Sequence, residues 1–493
     1  MSKYSKTVEY FLTDFSRTLF PLETNRILIE HSSEKLAEFI YQQITHKKES
    51  QQQFLFQVRA DAAKPNFHLR RTFKLDPIAE FFLYDLTYRN RTVFRDVPLN
   101  HRKNFGYRFN QGKMISPAQS YRDFRLAVYK GSQRFTYGIK VDIAQYFNSL
   151  YHHDLIEWFN GVTKNKDDVD FLDKFLRQIN GGRSIDCLPQ GIYPTKIIGS
   201  QFLRFLDESN RLRASQILRF MDDIYLFDND YGVLLRDFYQ MQRLLGQKSL
   251  TVNSAKTQLG RVNELHIELE IDEIKSNLLD QRVRVIFGSG VEEESDQVEE
   301  RPLTEEEVEY LLGLLNNPHL EEDDAELILA LMREHSDDVL GQIPTLLRKF
   351  PSLSKNFYFF AQHVQDKTTL LNYIRDFVRE TVFVPEFQLF WLSKVVETQL
   401  LKVEGVDEVL SLLYEHTSAT DISKAKILEI PEQRFGMPNL REEQLRTGAS
   451  GWLAWSAAVG SRNASKATRN HLLGYFAHGG PINQLVAQCV KKL

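Results

Sequence analysis

Residues 216–227 read Gln-Ile-Leu-Arg-Phe-Met-Asp-Asp-Ile-Tyr-Leu-Phe, and this stretch decides the fold. Its two acids, Asp222 and Asp223, lie between apolar runs of the kind that form strands. The pattern predicts a strand, a tight turn and a returning strand, with both carboxylates at the tip of the hairpin. Adjacent carboxylates beside buried strands are costly unless a cation compensates their charge. The hairpin is therefore a candidate metal site.

The other Asp-Asp pairs of the chain are not candidate metal sites. They occur at residues 167–168, 323–324 and 337–338, in polar or helical surroundings that favour a solvated surface.

Two further segments become informative when they are considered together with this hairpin. In residues 137–150 a predicted strand ends at Asp142 and is followed by a predicted amphipathic helix that carries Tyr146, Phe147 and Leu150. Residues 188–191 read Leu-Pro-Gln-Gly and predict a turn that leads into a helix. Taken alone, the acid can be a helix cap and the turn an ordinary loop.

In order and spacing, the three segments resemble the palm of a reverse transcriptase over roughly residues 65–260. Asp142-Ile-Ala-Gln-Tyr-Phe resembles the first metal-binding motif of that family, and Phe220-Met-Asp-Asp resembles its Tyr-x-Asp-Asp box. Leu250-Thr-Val-Asn-Ser-Ala-Lys-Thr resembles the next motif, usually Leu-x-x-Asn-x-x-Lys-Thr. Phe105-Gly-Tyr-Arg108 resembles a fingers motif whose arginine meets the incoming triphosphate. By this resemblance the fold class is α+β, with right-hand polymerase fingers and palm, built as an antiparallel sheet with helices.

The resemblance implies nucleotidyl transfer at a site that holds two Mg²⁺ ions about 3.5–4 Å apart, with Mn²⁺ as an expected substitute. Asp142, Asp222 and Asp223 are the implied catalytic and metal-binding acids, and Ile143 is implied in the metal site. The implied nucleotide-binding residues are Arg108, Phe147, Gln190, Gly191 and Lys256.

The resemblance gives three of these residues a specific role, and two of the three also have an alternative explanation. Phe147 is five residues after Asp142, where a phenyl ring beneath the sugar would exclude a 2′-hydroxyl; its alternative is core packing. Lys256 would bind phosphate or protonate pyrophosphate; its alternative is a solvated lysine at a helix end. Arg108 would clamp phosphate, because a planar guanidinium suits bidentate contacts.

Basic and aromatic residues are interleaved between residues 68 and 134, a pattern typical of single-stranded nucleic-acid contact. An arginine-rich surface over a buried aromatic core is the alternative. The candidate nucleic-acid-binding residues are Arg70, Arg71, Arg89, Arg91 and Lys103. The net charge of −4 does not argue against a polyanionic partner, because the acidic excess lies elsewhere, between residues 292 and 324.

Composition restricts the class of protein. The chain has 493 residues, of which 42% are hydrophobic and 26% charged, which excludes disorder along the whole length. Its two cysteines, Cys187 and Cys489, cannot build a disulfide framework, and they provide no Cys-x-x-Cys zinc pair. Without a secretory signal or an apolar run of about 18 residues, we expect a soluble protein of the bacterial cytoplasm.

The pattern changes along the chain predict four segments. Residues 1–60 form an N-terminal helical extension, and residues 61–287 form the fingers and palm, with strands at 266–271 and 282–287. An acidic linker follows at 288–302. Thr304 and Glu307 form a capping box that opens an α-helical region, 303–493, which resembles a thumb, a bundle or a repeat array.

A helical region of about 190 residues after the palm resembles bacterial defence-associated reverse transcriptases of the abortive-infection and unknown-group types. The resemblance implies antiphage defence by DNA synthesis from dNTPs, either RNA-templated or protein-primed. The implied partners are an RNA template or non-coding RNA, the DNA product, a second defence protein and a homo-oligomer or hetero-complex, with no membrane. The alternatives are an RNA-dependent RNA polymerase, which Phe147 disfavours, and a degenerate palm that binds RNA or a partner subunit.

Overall fold

The computed structural model describes residues 3–46, 52–95, 101–181, 187–265, 278, 302–431 and 437–493. The predicted strands at 266–271 and 282–287, and the predicted linker apart from Pro302, lie outside the described residues. Across the described ranges, no helix combines the length and apolar character that crossing a membrane requires.

The chain begins with two helices that pack on the half of the molecule that contains the main β-sheet. They are α1 (Ser5–Phe15) and α2 (Glu23–Glu38), and α2 continues as a π-helix, Phe39–Ile44. A β-hairpin follows, made of antiparallel β1 (Val58–Ala63) and β2 (Leu69–Lys74). Strand β1 therefore crosses the predicted boundary between residues 60 and 61.

A five-stranded sheet with the order β3-β7-β8-β6-β9 forms the centre of this half. Strand β3 runs parallel to β7, and the other neighbours are antiparallel. The strands are β3 (Arg102–Asn104), β6 (Tyr137–Val141), β7 (Gln216–Phe220), β8 (Asp223–Asp228) and β9 (Gln258–Arg261), and a separate small hairpin joins β4 (Phe109–Asn110) to β5 (Lys113–Met114).

Helices cover both faces of the sheet. Helix α4 (Pro117–Arg134) packs on one face, where Phe124 and Val128 contact Leu218, Tyr225 and Phe227. The remaining helices of this half are α3 (Pro77–Arg89), α5 (His152–Val162), α6 (Lys166–Ile179), α7 (Tyr193–Phe202), α8 (Arg204–Asp207) and α9 (Tyr231–Gly246). Of these, α9 packs on β6 and β8 from the opposite face.

The C-terminal region is helical wherever it is described, as predicted. Its first helix opens with the predicted capping box: Thr304 N–H donates to Glu307 Oε2 at 2.8 Å, and Glu307 N–H donates to Thr304 Oγ1 at 3.3 Å. The helices are α10 (Glu305–Leu315), α11 (Glu322–Leu331), α12 (Ser336–Leu340), α13 (Ile343–Lys349), α14 (Ser354–Ala361), α15 (Lys367–Glu380), α16 (Glu386–Val395), α17 (Val406–Glu415), α18 (Asp421–Leu428), α19 (Met437–Arg446), α20 (Trp452–Gly460), α21 (Lys466–Phe476) and α22 (Pro481–Val490).

The two ends of the chain share a core. One hydrophobic cluster contains α1, α2, the sheet and the last three helices, whereas a second cluster holds most of residues 305–437. A buried ion group joins the start of α2 to the 305–437 region: Lys426 lies 2.5 Å from Glu397 and 2.6 Å from Glu429. Glu429 also accepts the N–H groups of Glu23 and Thr24 at the start of α2. Buried charges of this kind need such partners, since an unpaired one is costly.

Candidate active site

The predicted hairpin forms, and its tip is held in an unusual backbone conformation. Strands β7 and β8 pair from Gln216↔Phe227 to Phe220↔Asp223, so Met221 and Asp222 make a two-residue turn. Met221 has φ of +58°, which a side chain with a Cβ rarely adopts. Turns of this length favour glycine or asparagine at such a position, so the backbone here is strained.

A buried arginine holds the turn in place. Arg219 is fully buried and pairs with Asp207 on α8 in a bidentate arrangement: Nε donates to Oδ1 at 3.0 Å, and Nη2 donates to Oδ2. Its Nη1 also donates to the carbonyls of Ser200 at 3.0 Å and Met221 at 3.2 Å. The hairpin tip is therefore anchored to α7 and α8, a role that the sequence pattern did not reveal.

Asp142 lies beside the hairpin, as predicted. It follows the last residue of β6, whose Val141 pairs with Ile224, so the register sets Asp142 opposite Asp223. Side chains opposite each other in antiparallel strands are close neighbours. The carboxylate accepts from Asn253 Nδ2 at 3.0 Å, and Lys256 Nζ lies 3.8 Å away. The Leu-Thr-Val-Asn-Ser-Ala-Lys-Thr segment thus reaches the site through its asparagine and its lysine.

The three acids influence one another electrostatically. Burial, then the charge of Asp223, and also that of Asp142, raise the pKa of Asp222 to about 6. Burial and the charge of Asp142 likewise raise the pKa of Asp223. Like charges crowded in a partly buried place favour either a proton or a cation.

The donor set suits a hard divalent cation. Mg²⁺ is usually bound by one or two carboxylates together with water and substrate phosphates. Within the described part of the chain, no group of three or more His, Cys, Asp and Glu residues is arranged so that it could hold a metal ion by itself. Asp142, Asp222 and Asp223 offer carboxylate oxygens of the kind that Mg²⁺ prefers. Ile143 has a buried apolar side chain and bridges to Val252, so only its main-chain carbonyl can serve as a ligand.

Cationic side chains of the β1–β2 hairpin face the acids. The charge of Asp222 acts on both Lys64 and Arg70, and the charge of Asp142 also acts on Lys64. Burial lowers the pKa of each of these two cations, and the charges of Arg70 and Lys256 further lower that of Lys64. Arg70, predicted as a nucleic-acid contact, therefore lies within electrostatic range of Asp222. Lys64 was missed because nothing in its local sequence distinguishes it from any turn lysine.

The helix predicted around Phe147 does not form. Gln145 adopts φ of +48°, and residues Tyr146–Asn148 make a single 3₁₀ turn, so α5 begins only at His152. The left-handed residue ends any continuous helix after Asp142. The half-buried Phe147 ring is close to Gly199, where a Cβ would lie 3.3 Å from it. Tyr146 is fully buried and donates to the Gly199 carbonyl at 2.7 Å.

The Pro-Gln-Gly turn is joined to the same hairpin strand, β2. Gln190 N–H donates to Thr72 Oγ1 at 2.7 Å, and the Thr72 hydroxyl lies 2.7 Å from the Gln190 carbonyl. Gly191 has φ of +105°, and a Cβ there would lie 2.7 Å from Leu19. Only glycine fits both the backbone and the space. The predicted helix follows as α7.

The segment that contains Arg108 approaches the β7–β8 hairpin closely. Phe105 N–H donates to the Arg219 carbonyl at 2.7 Å, and a Cβ at Gly106 would lie 3.2 Å from Met221 N and 2.3 Å from Ser200 Oγ. The Arg108 guanidinium donates to the Gly106 carbonyl at 3.0 Å. Its role as a phosphate clamp remains a prediction.

The other predicted nucleic-acid residues differ in their surroundings. Arg71 and Lys103 are exposed. Arg91 lies over the Tyr88 ring, 4.6 Å from its centroid. Arg89 is engaged in ion pairs, 3.0 Å from Asp85 and 2.8 Å from Asp168, and it stacks on Tyr41.

One acid of the Asp-Asp pairs was misjudged. Asp168 is buried, not solvated: besides its pair with Arg89, it accepts from Asn90 Nδ2 at 2.7 Å. These partners, which come from α3, are distant in sequence.

Comparison with protein families identifies the part of the chain that holds the acids. Residues 90–311 match the family model described as reverse transcriptase (RNA-dependent DNA polymerase). The chain contains a reverse transcriptase domain. That domain includes Asp142 and the hairpin with Asp222 and Asp223, and a helical region follows it. No curated protein matches the chain.

Two solved structures show a weak likeness to the chain. Apo telomerase from Candida tropicalis is 12% identical, with 78% of this chain and 73% of that chain covered and a TM-score of 0.30. Telomerase from Candida albicans, in complex with a fragment of telomeric RNA, is 12% identical, with 73% and 61% covered and a TM-score of 0.27. Scores this low carry no argument, so the identification depends on the family model alone.

Proposed function

We propose that this chain is an RNA-directed DNA polymerase that joins dNTPs at the site formed by Asp142, Asp222 and Asp223. The observation that carries the proposal is the proximity of these three acids inside a reverse transcriptase domain. A domain of this family supports nucleic-acid polymerase activity. A raised pKa, such as that of Asp222, is expected for a carboxyl group whose charge a bound cation would balance.

The acids would hold two Mg²⁺ ions, which when bound supply positive charge to the attacking and leaving oxygens. The chain's own cations complete the charge balance around the triphosphate. Lys64 and Arg70 approach from the β1–β2 hairpin, and Lys256 approaches beside Asp142. A guanidinium suits bidentate contact with phosphate, whereas a lysine can also donate a proton to the leaving pyrophosphate.

Sugar selection is assigned to Phe147. Its ring is half-buried and lies against Gly199 on α7, so it has little freedom to move aside for a 2′-hydroxyl. Gln190 and Gly191 would shape the same pocket, since their turn is fastened to β2 through Thr72.

A nucleic-acid strand would run along α4. Tyr121, Leu126 and Tyr129 are exposed on this helix at 43%, 50% and 37%. Arg122 and Lys130 are each four residues from Leu126, so both lie on the same side of the helix as Leu126. The Tyr121 ring packs on Phe220, one residue from the turn, at 5.1 Å between centroids. Cations that neutralise phosphates and aromatic faces that stack bases are what single strands require.

The test is incorporation by the purified full chain with Mg²⁺ and labelled dNTPs or NTPs. We expect the chain to convert dNTPs into a polymer that nuclease digests. If part of this polymer is also sensitive to protease, synthesis is primed from a protein residue. Polymer from NTPs alone would instead assign an RNA polymerase. Nucleic-acid binding with no incorporation under any condition would refute the proposal and favour a scaffold.

The narrower proposal is a role in bacterial antiphage defence, supported by the helical region that follows the domain and by the motif resemblance. Cells that express the wild-type chain should reduce phage plating, whereas cells that express Asp222→Asn at equal levels should not. Equal plating of phage on both would refute this role. An RNA or protein partner and an oligomeric assembly belong to the same proposal, and purification from these cells tests them.

A further inference from the structure

The C-terminal helical region contacts the hairpin that carries Lys64 and Arg70. Helix α16 packs on β1, and a 3₁₀ turn, Pro351–Leu353, contacts the hairpin tip at Pro65–Phe67. The β1–β2 sheet has only two strands, so the outer edge of β1 presents main-chain groups that need other partners.

Glu386, in the first turn of α16, supplies such a partner. Its Oε2 accepts the N–H of Asp61 at 3.1 Å, and its Oε1 accepts the hydroxyl of Thr420, the N-cap of α18. Asp61 pairs with Arg71, adjacent to Arg70, and lies three residues before Lys64. One half-buried carboxylate thus joins the edge of the hairpin to two helices of the C-terminal region.

The same helix reaches the nucleotide pocket by a second route. Trp391 Nε1 donates to the Leu19 carbonyl at 3.2 Å, and Leu19 is the side chain that packs against Gly191. Both walls of the pocket, the hairpin and the Pro-Gln-Gly turn, are therefore supported from α16.

We propose that Glu386 is a positioning residue that holds the β1–β2 hairpin over the three acids, so that the C-terminal helical region sets nucleotide affinity. The inference depends on the proposed function for its kinetic test. The carboxylate acts through the hairpin and does not touch the nucleotide. Removing it frees the edge of β1 and lets Lys64 and Arg70 move away from the triphosphate.

The test compares Glu386→Ala with Glu386→Gln, whose amide oxygen can still accept the Asp61 N–H while its NH2 group donates to the Thr420 hydroxyl. The Ala variant should raise KM for dNTP about tenfold with kcat changed less than about twofold, and the Gln variant should stay near wild type. Glu326→Ala is the matched control: it removes a half-buried carboxylate of α11 that accepts a hydrogen bond from Asn356 Nδ2 at 3.2 Å. A loss of kcat with unchanged KM, or an equal effect of the control, would overturn the proposal.

Hydrogen exchange of residues 58–74 tests the holding role without catalysis. Exchange there should rise in Glu386→Ala, and unchanged exchange would overturn the proposal even if the enzyme is inactive for another reason. If Glu386→Ala does not fold, Asp61→Pro removes the donor instead, since edge strands tolerate proline where the N–H is outside the ladder. That variant should show the same KM increase, and unchanged KM would equally overturn the proposal. A wild-type chain that incorporates nothing would refute the proposed function alone.

Discussion

Replacing Asp222 by Asn should abolish activity and yet stabilise the protein at neutral pH. The carboxyl has a pKa raised from 3.8 to about 6, chiefly by burial and then by its acidic neighbours. Since the unfolded chain ionises this group more readily, its ionisation opposes folding above about pH 6. The asparagine amide has the same size as the carboxyl group and carries no charge, so it removes the destabilising effect of ionisation. It also removes a ligand for the metal.

The magnitude follows from the pKa difference. Each unit is worth about 1.36 kcal/mol, so the difference corresponds to about 3 kcal/mol at most. The side chain is partly open to solvent, which screens the charge, and we expect about 1–2 kcal/mol at about pH 7.5. As the pH falls from about 6 to about 4 the native carboxyl becomes protonated, and the gain should disappear.

The assay is thermal unfolding of wild type and Asp222→Asn in metal-free buffer at about pH 7.5 and about pH 4. The variant should melt about 1–2 °C higher at the first pH and equally at the second. Adding Mg²⁺ should raise the melting temperature of the wild type more than that of the variant.

Asp228→Asn on the same hairpin is the matched control. Hydrogen bonds from Asp230 N–H and from Ser215 hold the pKa of Asp228 below its usual value despite the opposing effect of burial. This ionised group favours folding above its ordinary pKa, and its replacement should lower the melting temperature at neutral pH. If Asp222→Asn is destabilised at neutral pH, or stabilised equally at both pH values, burial and the neighbouring acids do not raise the pKa of Asp222 as described.

The other predictions concern the pocket, the anchor of the turn and the nucleic-acid path. Phe147→Ala should admit ribonucleotides, measured as the ratio of kcat/KM for dNTP and NTP; an unchanged ratio would leave the ring as core packing. Arg219→Ala should cost about 3–5 kcal/mol in the free energy of unfolding, because it leaves Asp207 without its buried partner; denaturant unfolding measures this, and a cost below about 1 kcal/mol would contradict the anchoring role. The double variant Arg122→Gln with Lys130→Gln should lower the slope of log K against log salt for single-stranded DNA by about 1.4; an unchanged slope would place the strand elsewhere.

The parts of the structure that could be predicted from the sequence are those that a local sequence pattern defines. The hairpin with Asp222 and Asp223 and the strand that ends at Asp142 follow from short apolar runs beside acids, and the structure confirms both. The capping box at Thr304 depends on two residues three apart and is confirmed for the same reason. Their roles in catalysis remain predictions.

The parts that were not readable depend on long-range contacts or on single backbone angles. The prediction of a helix after Asp142 was wrong because Gln145 adopts a left-handed conformation. No residue type in this segment indicates that conformation. Lys64 meets the acids only through the β1–β2 hairpin, and Glu386 meets that hairpin from more than 300 residues away. Such contacts leave no periodicity in a single sequence.

The most direct measurement is incorporation of labelled dNTPs by the wild-type chain and by Asp142→Asn with Mg²⁺ present. Asp142 is 80 residues from the hairpin in sequence, so its effect tests whether the three acids act as one site. We predict incorporation by the wild type and none by the variant, with both folded and both able to bind single-stranded DNA. Incorporation by Asp142→Asn at the wild-type rate would contradict the account.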